Sequence, residues 1–363
     1  MQRFIKTPAG FVGSLVMLSG VALSGITLSG AVQAANETLT SVKTDTTIIL
    51  DGMAESAWDN APELRVQLDN LPYKANNYGG MTRVSVQLKS LYDENFVYFL
   101  VEYDDATKSL ARYPWEKQAD GSWKQLKDKD QTGHDNVYYE DKLAFFWDIN
   151  ARGFAKKGCD VACHMQDDDG KINGFDQKGQ APGRKYTREG QTIDMWHWKS
   201  VRMNPVGVID DQFVDSVNDP SVNSNWGRHG DSKTGGGYVD NVNSEKTGPA
   251  FMNRSQGNVD GFTITPSQKP PFVDTFEPGD RIPGIMSEAL TGSRGNIWAK
   301  GEWQDGRWTI EIKRALVTTG ENADVQDVQF SDLSQAYSFG VSVFDNSQID
   351  HLYHEGAYDL IFK

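Results

Sequence analysis

The hydrophobic pattern of the chain repeats every two residues in several short runs, and no other feature constrains the fold as strongly. In Val84–Lys89 apolar and polar side chains alternate, as expected for a half-buried strand. Asn296–Trp303 and Trp308–Lys313 flank Asp305-Gly306, a dipeptide typical of a two-residue hairpin turn. No segment shows a long apolar period of 3.6 residues. The sequence therefore predicts an all-β protein.

Short apolar runs of strand length continue through the rest of the chain. They are Thr46–Leu50, Phe96–Tyr103, Lys142–Ile149, Thr192–Lys199, Ala336–Phe344 and Tyr358–Phe362. Many short strands with few helices predict an antiparallel sandwich or barrel. Of the two we expect a β-sandwich of immunoglobulin or jelly-roll type. Residues 201–280 are rich in Asn, Asp, Gly, Ser and Pro, which predicts a long loop-rich insertion. We expect one domain, residues 35–363, that carries this insertion.

The first 34 residues have the pattern of a secretory signal peptide. Arg3 and Lys6 precede an uncharged apolar run, and the small residues Val32 and Ala34 occupy the −3 and −1 positions of a cleavage site. The alternative is an uncleaved membrane anchor, since the run is long enough to span a bilayer. Its many Gly and Ser residues favour cleavage. We therefore expect a periplasmic protein with no membrane span after cleavage.

The charge balance is strongly acidic. The formal net charge of −14 becomes −16 once the two basic residues of the first 34 are removed. Nucleic acids and anionic membranes attract positively charged surfaces, so this balance argues against both as partners. It suits a protein that docks to a basic surface of a partner.

The only two cysteines, Cys159 and Cys163, are followed at once by His164. Covalent attachment of a c-type haem needs two thiols and a histidine directly after the second, which ligates the iron. The spacing C-x-x-x-C-H is one residue longer than the usual motif. A local disulfide is the main alternative, because an oxidising compartment favours it. A catalytic dithiol fits the spacing less well, and a structural zinc site needs four ligands.

Several segments together resemble a known family. Thr47–Gly52 with Ala57-Trp58 resembles the opening of family-9-type carbohydrate-binding modules. Further segments follow in family order, namely Met81–Val86, Leu91–Asp93, Val97–Asp105, Met195–Lys199, Gly301–Thr309, Tyr337–Asn346 and His351. The set is similar to the haem-binding domain of ethylbenzene dehydrogenase and dimethylsulfide dehydrogenase γ subunits, over most of residues 45–363. This resemblance implies a β-sandwich that holds one haem and passes single electrons in the periplasm.

The resemblance also implies iron ligands and partners. The family's b-type members ligate iron through a methionine and a lysine, which match Met81 and Lys199 by position, and serve molybdenum oxidoreductases. This chain departs from them in its C-x-x-x-C-H segment and in its insertion. These departures imply a c-type variant with His164 as the proximal ligand. For the sixth ligand we expect Met81, with His197 or Lys199 as alternatives.

Together these observations predict a periplasmic monohaem c-type cytochrome with one covalent haem. It would act as an electron carrier or as the electron-transfer subunit of an oxidoreductase, such as a molybdoenzyme, rather than as a catalytic chain. Its partner would be a redox protein with a basic docking surface. One alternative is a secreted sugar-binding protein with a Cys159–Cys163 disulfide and no haem. Another is a haem enzyme with an open sixth position.

Aromatic residues and the other histidines receive weaker assignments. Phe145, Phe146, Trp147, Trp196 and Trp198 fit a haem-pocket wall and a sandwich core equally well. His134, His229 and His354 are expected at the surface, and the sequence assigns no role to His351.

Overall fold

Eighteen short strands dominate the described part of the chain. The computed structural model describes residues 36–72, 75–163, 185–252 and 270–363. The described strands are β1 (Thr38–Lys43), β2 (Leu64–Leu68), β3 (Val84–Tyr92), β4 (Phe96–Asp104), β5 (Trp115–Lys117), β6 (Trp123–Gln125), β7 (Lys142–Asp148), β8 (Ile193–Lys199), β9 (Asp210–Val214), β10 (Arg228–Gly230), β11 (Lys233–Asp240), β12 (Arg281–Ile282), β13 (Ile285–Gly292), β14 (Ile297–Gln304), β15 (Arg307–Ala315), β16 (Tyr337–Phe344), β17 (Leu352–Tyr353) and β18 (Tyr358–Phe362).

Helices in the described residues are limited to single turns. The α-helical turns are α1 (Phe154–Lys157) and α2 (Ala323–Gln326), and 3₁₀ turns lie at Ser56–Asn60, Cys159–Val161, Asn204–Val206 and Ser293–Gly295. Within the described ranges, no helix is long and apolar enough to cross a membrane. The expected signal peptide, residues 1–34, lies outside the described residues.

The main sheet folds into two facing layers. Its strand order is β10-β9-β8-β7-β16-β18-β1-β3-β4-β15-β14, with β2 and β17 paired at its sides. Phe99 of β4 packs against Phe145, Trp147 and Trp196 of the opposite layer, at ring-centroid distances of 5.6 to 6.2 Å. The predicted all-β sandwich is confirmed. It is not wholly antiparallel, because β1 pairs in parallel with both β18 and β3.

The predicted strands are confirmed with one exception. In the predicted hairpin, β14 pairs with β15 around Asp305 and Gly306, whose φ angles of 52° and 84° suit a type I′ turn. Thr46–Leu50 is not a strand. Ile48 is buried in a small apolar cluster with Trp58, so the run is apolar because it packs against the sheet without joining a ladder.

Strands also occur in the segment predicted as a loop-rich insertion. β9, β10 and β11 lie within residues 201–280, and β9 pairs with β8 in the main sheet. The expectation of a structureless insertion is therefore wrong for residues 210–240. The hydrophobic pattern does not predict β9, because two of its buried residues, Asp210 and Asp211, are charged.

Candidate functional site

The candidate site lies on the outer face of the layer that contains β7, β8 and β16. Successive residues of a strand point to opposite faces, so alternate residues of each strand reach this surface. The register aligns three rows across the strands, Gly340–Phe146–Met195, Ser342–Ala144–His197 and Phe344–Lys142–Lys199. Along β7 and β8 the surface changes from apolar to basic within four residues, about 14 Å of strand.

The two cysteines lie at the apolar end of this surface. A Cβ placed on Gly340 would be 2.7 Å from the Sγ of Cys159, so this sulfur touches the backbone of β16. The Cys163 backbone N–H donates to the Cys159 carbonyl oxygen at 2.8 Å. Both side chains are buried and both thiols are free. The structure therefore does not contain the disulfide on which the sugar-binding alternative rests.

A glycine immediately before the first cysteine fixes the path of this segment. Gly158 has φ 55° and ψ −134°, a conformation that L side chains rarely adopt. It forms a bridge with Gly356, whose carbonyl oxygen would lie 1.7 Å from a Cβ at position 158. Only glycine fits here, and it holds the cysteine segment against the end of the sheet.

The buried thiols have little nucleophilic character. Burial raises the pKa of Cys159 well above its usual value, and the charges of Cys163 and Asp160 raise it further. Burial likewise raises the pKa of Cys163 to about 11. Because the thiolate is the reactive form, such groups make a poor catalytic dithiol.

The thiols open onto a narrow, mostly apolar pocket. Its lining residues are Ala144, Phe146, Cys159, Cys163, Lys185, Met195, Ser342, Phe344, His351 and Tyr353. Lys185 also lines a second, larger cavity of about 650 Å³, so the two spaces adjoin. A volume in the range of about 300 to 1,000 Å³ is typical of small-molecule and cofactor sites.

The larger cavity is strongly basic. Its cationic lining residues are Lys142, Lys185, Lys199, Arg202, Arg228 and Arg294, joined by His134, His197 and His229. Three of the cations have carboxylate partners, since Asp210 pairs with Lys199 and Arg294 and Glu140 pairs with Arg202. In a chain of net charge −14, such a concentration of positive charge marks a site for an anion.

The other three cations have no carboxylate partner in the described part of the chain. The Nζ of Lys142 donates to the Gln348 carbonyl oxygen at 2.8 Å, and the Nε of Arg228 donates to the Gln212 Oε1 at 2.8 Å. Burial lowers the pKa of Lys142 well below its usual value and also lowers that of Lys185. Burying uncompensated charge is costly, so a negatively charged ligand would stabilise this group.

Two histidines near Phe344 have opposite hydrogen-bond patterns. The Nδ1 of His351 lies 2.7 Å from the carbonyl oxygen of Ile349, an acceptor, so Nδ1 carries a proton. The His351 ring stacks on Phe344 at 4.7 Å. In His197 the Nη2 of Arg228 approaches Nδ1 at 3.4 Å, which assigns the proton to Nε2. That Nε2 is buried in the basic cavity and has no hydrogen-bond partner among the described residues.

The other predicted histidines fall in different places. His164 lies outside the described residues. His354 is buried, so its assignment to the surface is wrong. Its Nε2 accepts the Val341 backbone N–H at 3.1 Å. His134 and His229 are half-buried at the wall of the basic cavity.

Met81 is not brought to the cysteines. Its side chain is partly buried against the main core, its backbone N–H donates to Asp345 at 2.8 Å, and it does not line either cavity. Lys199 does line the basic cavity, but its ammonium group is engaged with Asp210. Of the aromatic candidates, only Phe146 lines the cysteine pocket, while the others belong to the core: Phe145, Trp147, Trp196 and Trp198.

Sequence reasoning missed His351 and most of the basic cavity. The strand period could have placed Lys142 in the site, because in Lys142–Asp148 it lies on the same face as Ala144 and Phe146. No local signal marks Lys185, Arg202 or Arg228, because distant turns and strands bring them together.

Comparison with known proteins defines the class of this chain. The family model described as ethylbenzene dehydrogenase matches residues 55–356. The chain belongs to the ethylbenzene dehydrogenase family. A curated relative is a subunit of cytochrome b558/566 from Sulfolobus acidocaldarius, 25% identical over 186 residues, which are 49% of this chain and 32% of the relative. The chain thus matches about a third of that relative's length.

The solved structures that this chain is similar to are distant from it. A family-9 carbohydrate-binding module of Caldicellulosiruptor kristjanssonii, in complex with cellotriose, is 11% identical, with a TM-score of 0.30 over 90% of this chain and 95% of the module. A putative carbohydrate-binding protein of Bacteroides uniformis is 12% identical, with a TM-score of 0.32 over 90% of this chain and all of that one.

Proposed function

We propose that the protein is a periplasmic monohaem c-type cytochrome that passes single electrons. The observation that carries the proposal is the pair of free, buried thiols at the apolar end of a surface that becomes basic along the same strands. Cys159 and Cys163 would form the two thioether bonds to the haem vinyl groups. When bound, the haem supplies a one-electron Fe(III)/Fe(II) couple.

The charges of the site support a haem over a neutral ligand. A haem has an apolar ring with two propionate carboxylates on the edge away from the thioether-forming vinyl groups. The apolar row around Phe146 and Met195 suits the ring. The three cations without a described carboxylate partner, Lys142, Lys185 and Arg228, suit the two propionates, and the buried Nε2–H of His197 is a further donor for them. The site thus has apolar residues for the haem ring and cationic residues for its propionates.

For the iron ligands we propose His164 and His351. The motif assigns His164 to the proximal side. His351 lines the same pocket as the thiols, and its Nδ1 donates to a backbone carbonyl, the arrangement that orients metal-ligating histidines. The sequence-based choice of Met81 receives no support from its position. His197 has the opposite tautomer, and Lys199 is held by Asp210.

Family membership supports a role as the electron-transfer subunit of a larger oxidoreductase, in which a partner exchanges electrons with this chain. The Sulfolobus relative is a cytochrome by name, which agrees with a redox role. The acidic surface would guide docking to a basic partner, so electron exchange should slow with rising salt. The expected signal peptide supports export to the periplasm.

The test is expression of the full chain with c-type haem maturation machinery. After acid–acetone extraction, the wild type should keep its colour and give a pyridine haemochrome spectrum of a c-type haem. The Cys159→Ser/Cys163→Ser variant should release its haem. A colourless wild type would refute the proposal.

The sixth ligand is tested separately on the same holoprotein. His351→Ala should convert the low-spin optical and EPR spectra to high spin, whereas Met81→Leu and His197→Gln should stay low spin. If Met81→Leu alone became high spin, the His351 assignment would be wrong while haem attachment would stand.

A further inference from the structure

One wall of the basic cavity is a connected hydrogen-bond network centred on Asp210. This carboxylate pairs with Lys199 through Oδ2, and its Oδ1 accepts the Nε–H of Arg294 at 2.6 Å. Its Oδ2 also accepts the Nε2–H of Gln212 at 2.7 Å, and the Gln212 Oε1 accepts the Nε–H of Arg228 at 2.8 Å. Both arginines are therefore held in place through Nε.

Several donors in and beside this network have no acceptor in the described part of the chain. To the described residues Arg294 donates only from Nε, and its guanidinium packs so closely on Gly230 that a Cβ there would lie 2.5 Å from its Cζ. Arg228 places Nη2 3.4 Å from the His197 Nδ1, and no described residue accepts from its Nη1. The buried Nε2 of His197 likewise has no partner within the described ranges. Unused donors fixed around a cavity call for an acceptor such as a bound ion.

Positive charge in this cavity exceeds negative charge even when a haem is bound. Six cations line it, two carboxylates pair with three of them, and the two propionates of the haem would add two more negative charges. The formal balance is +2, and because it includes the haem the inference rests on the proposed function. Arginine keeps its proton in proteins, and a propionate beside Lys142 or Lys185 would raise the pKa of that lysine, so deprotonation does not remove the excess.

Tyr238 responds to the same positive charge. Its ring centroid lies 4.7 Å from the Arg202 Cζ and 5.6 Å from the Lys199 Nζ. The charge of Lys199, together with that of Arg202, lowers the pKa of Tyr238 to about 8 against the opposing effect of burial. The surroundings of this phenol thus favour a negative charge. At pH 7 the phenol still keeps most of its protons, so Tyr238 itself does not supply the missing charge.

We propose that the basic cavity binds a small tetrahedral oxyanion of charge −2, such as phosphate or sulfate, in addition to the haem propionates. Guanidinium groups bind such ions through paired N–H donors, and Arg228 of β10 and Arg294 of the turn Ser293–Gly295 supply them. Since one water takes up about 30 Å³ in the liquid, a cavity of about 650 Å³ has room for the ion beside two propionates. A dianion would also balance the excess charge of +2.

The experiment is isothermal titration calorimetry of the full-length holoprotein with phosphate, with sulfate and with chloride, at constant ionic strength. We expect one phosphate or sulfate per chain and no saturable heat from chloride, and the two Kd values show which oxyanion the site prefers. Arg294→Gln should weaken binding about tenfold or more, as expected for the loss of a charge-assisted hydrogen bond. Arg228→Gln is the second variant, because Arg228 has no carboxylate partner in the described ranges whose loss could unfold the protein. Arg65→Gln, at an exposed position of β2, changes the net charge equally and should bind like the wild type.

The haem-free Cys159→Ser/Cys163→Ser chain separates this inference from the haem proposal. It should also bind phosphate or sulfate, because its arginines are unchanged. A colourless wild type that binds the oxyanion, with weaker binding in Arg294→Gln and Arg228→Gln, would refute the haem and leave the oxyanion site standing. The oxyanion site is overturned if neither phosphate nor sulfate binds the wild type, if chloride binds equally well, or if both arginine variants keep the wild-type Kd.

Discussion

The Sγ of Cys159 packs directly against the backbone of Gly340, so adding a side chain at position 340 should destabilise the protein. In Gly340→Ala, the new Cβ would lie 2.7 Å from the Cys159 Sγ and 3.6 Å from the His354 Nε2. Only the first distance is shorter than a van der Waals contact. We therefore attribute the loss of stability to the Cys159 sulfur alone. The backbone of β16 at this position is compatible with alanine, since no positive φ is found there.

The magnitude follows from two opposing effects. Overpacking a well-packed site costs about 1 to 3 kcal/mol, and replacing glycine by alanine in a strand returns about 0.5 to 1 kcal/mol. We expect Gly340→Ala to lower the free energy of unfolding by up to about 2.5 kcal/mol. In a Cys159→Ala background the sulfur is gone, so the same change should be neutral or slightly stabilising.

The assay is urea unfolding of the haem-free, reduced chain, followed by tryptophan fluorescence, in a double-mutant cycle. The coupling energy should equal the overpacking cost, about 1 to 3 kcal/mol. Gly79→Ala, where a Cβ meets nothing within 4 Å, is the control and should change stability by less than about 0.5 kcal/mol. Equal costs of Gly340→Ala with and without the sulfur would refute the proposed contact.

Two further predictions concern the same region. Gly158→Ala should lower the free energy of unfolding by about 2 kcal/mol or more, because a Cβ there collides with the Gly356 carbonyl in a conformation reserved for glycine, and a wild-type urea midpoint would contradict this. Burial lowers the pKa of His354, so the unfolded chain binds more protons in acid and stability is lost as the pH falls below about 6.5. His354→Gln, which can still accept the Val341 N–H, should flatten this part of the stability curve, and an unchanged slope would show that His354 does not contribute.

The local sequence predicted the structural class and a role for the cysteines. Alternation in Val84–Lys89 and the turn at Asp305-Gly306 predict strands and a hairpin, because strand periodicity and turn conformation depend on neighbouring residues. The spacing of Cys159, Cys163 and His164 is likewise local, and it predicts a haem-binding segment. No sequence pattern shows that position 158 must be glycine. The requirement comes from its contact with Gly356 in the folded chain.

Tertiary structure alone decided the strand order of the sheet and what surrounds the thiols. The parallel pairing of β1 with β18 joins the two ends of the domain, a contact that no local pattern contains. The basic cavity draws on Lys142, Lys185 and Arg228, and its charge becomes significant only through burial, which removes the screening of water. The tautomer of His351 depends on one carbonyl two residues away in a particular turn. Sequence patterns report neighbours along the chain, whereas charge, pKa and ligand geometry depend on neighbours in space.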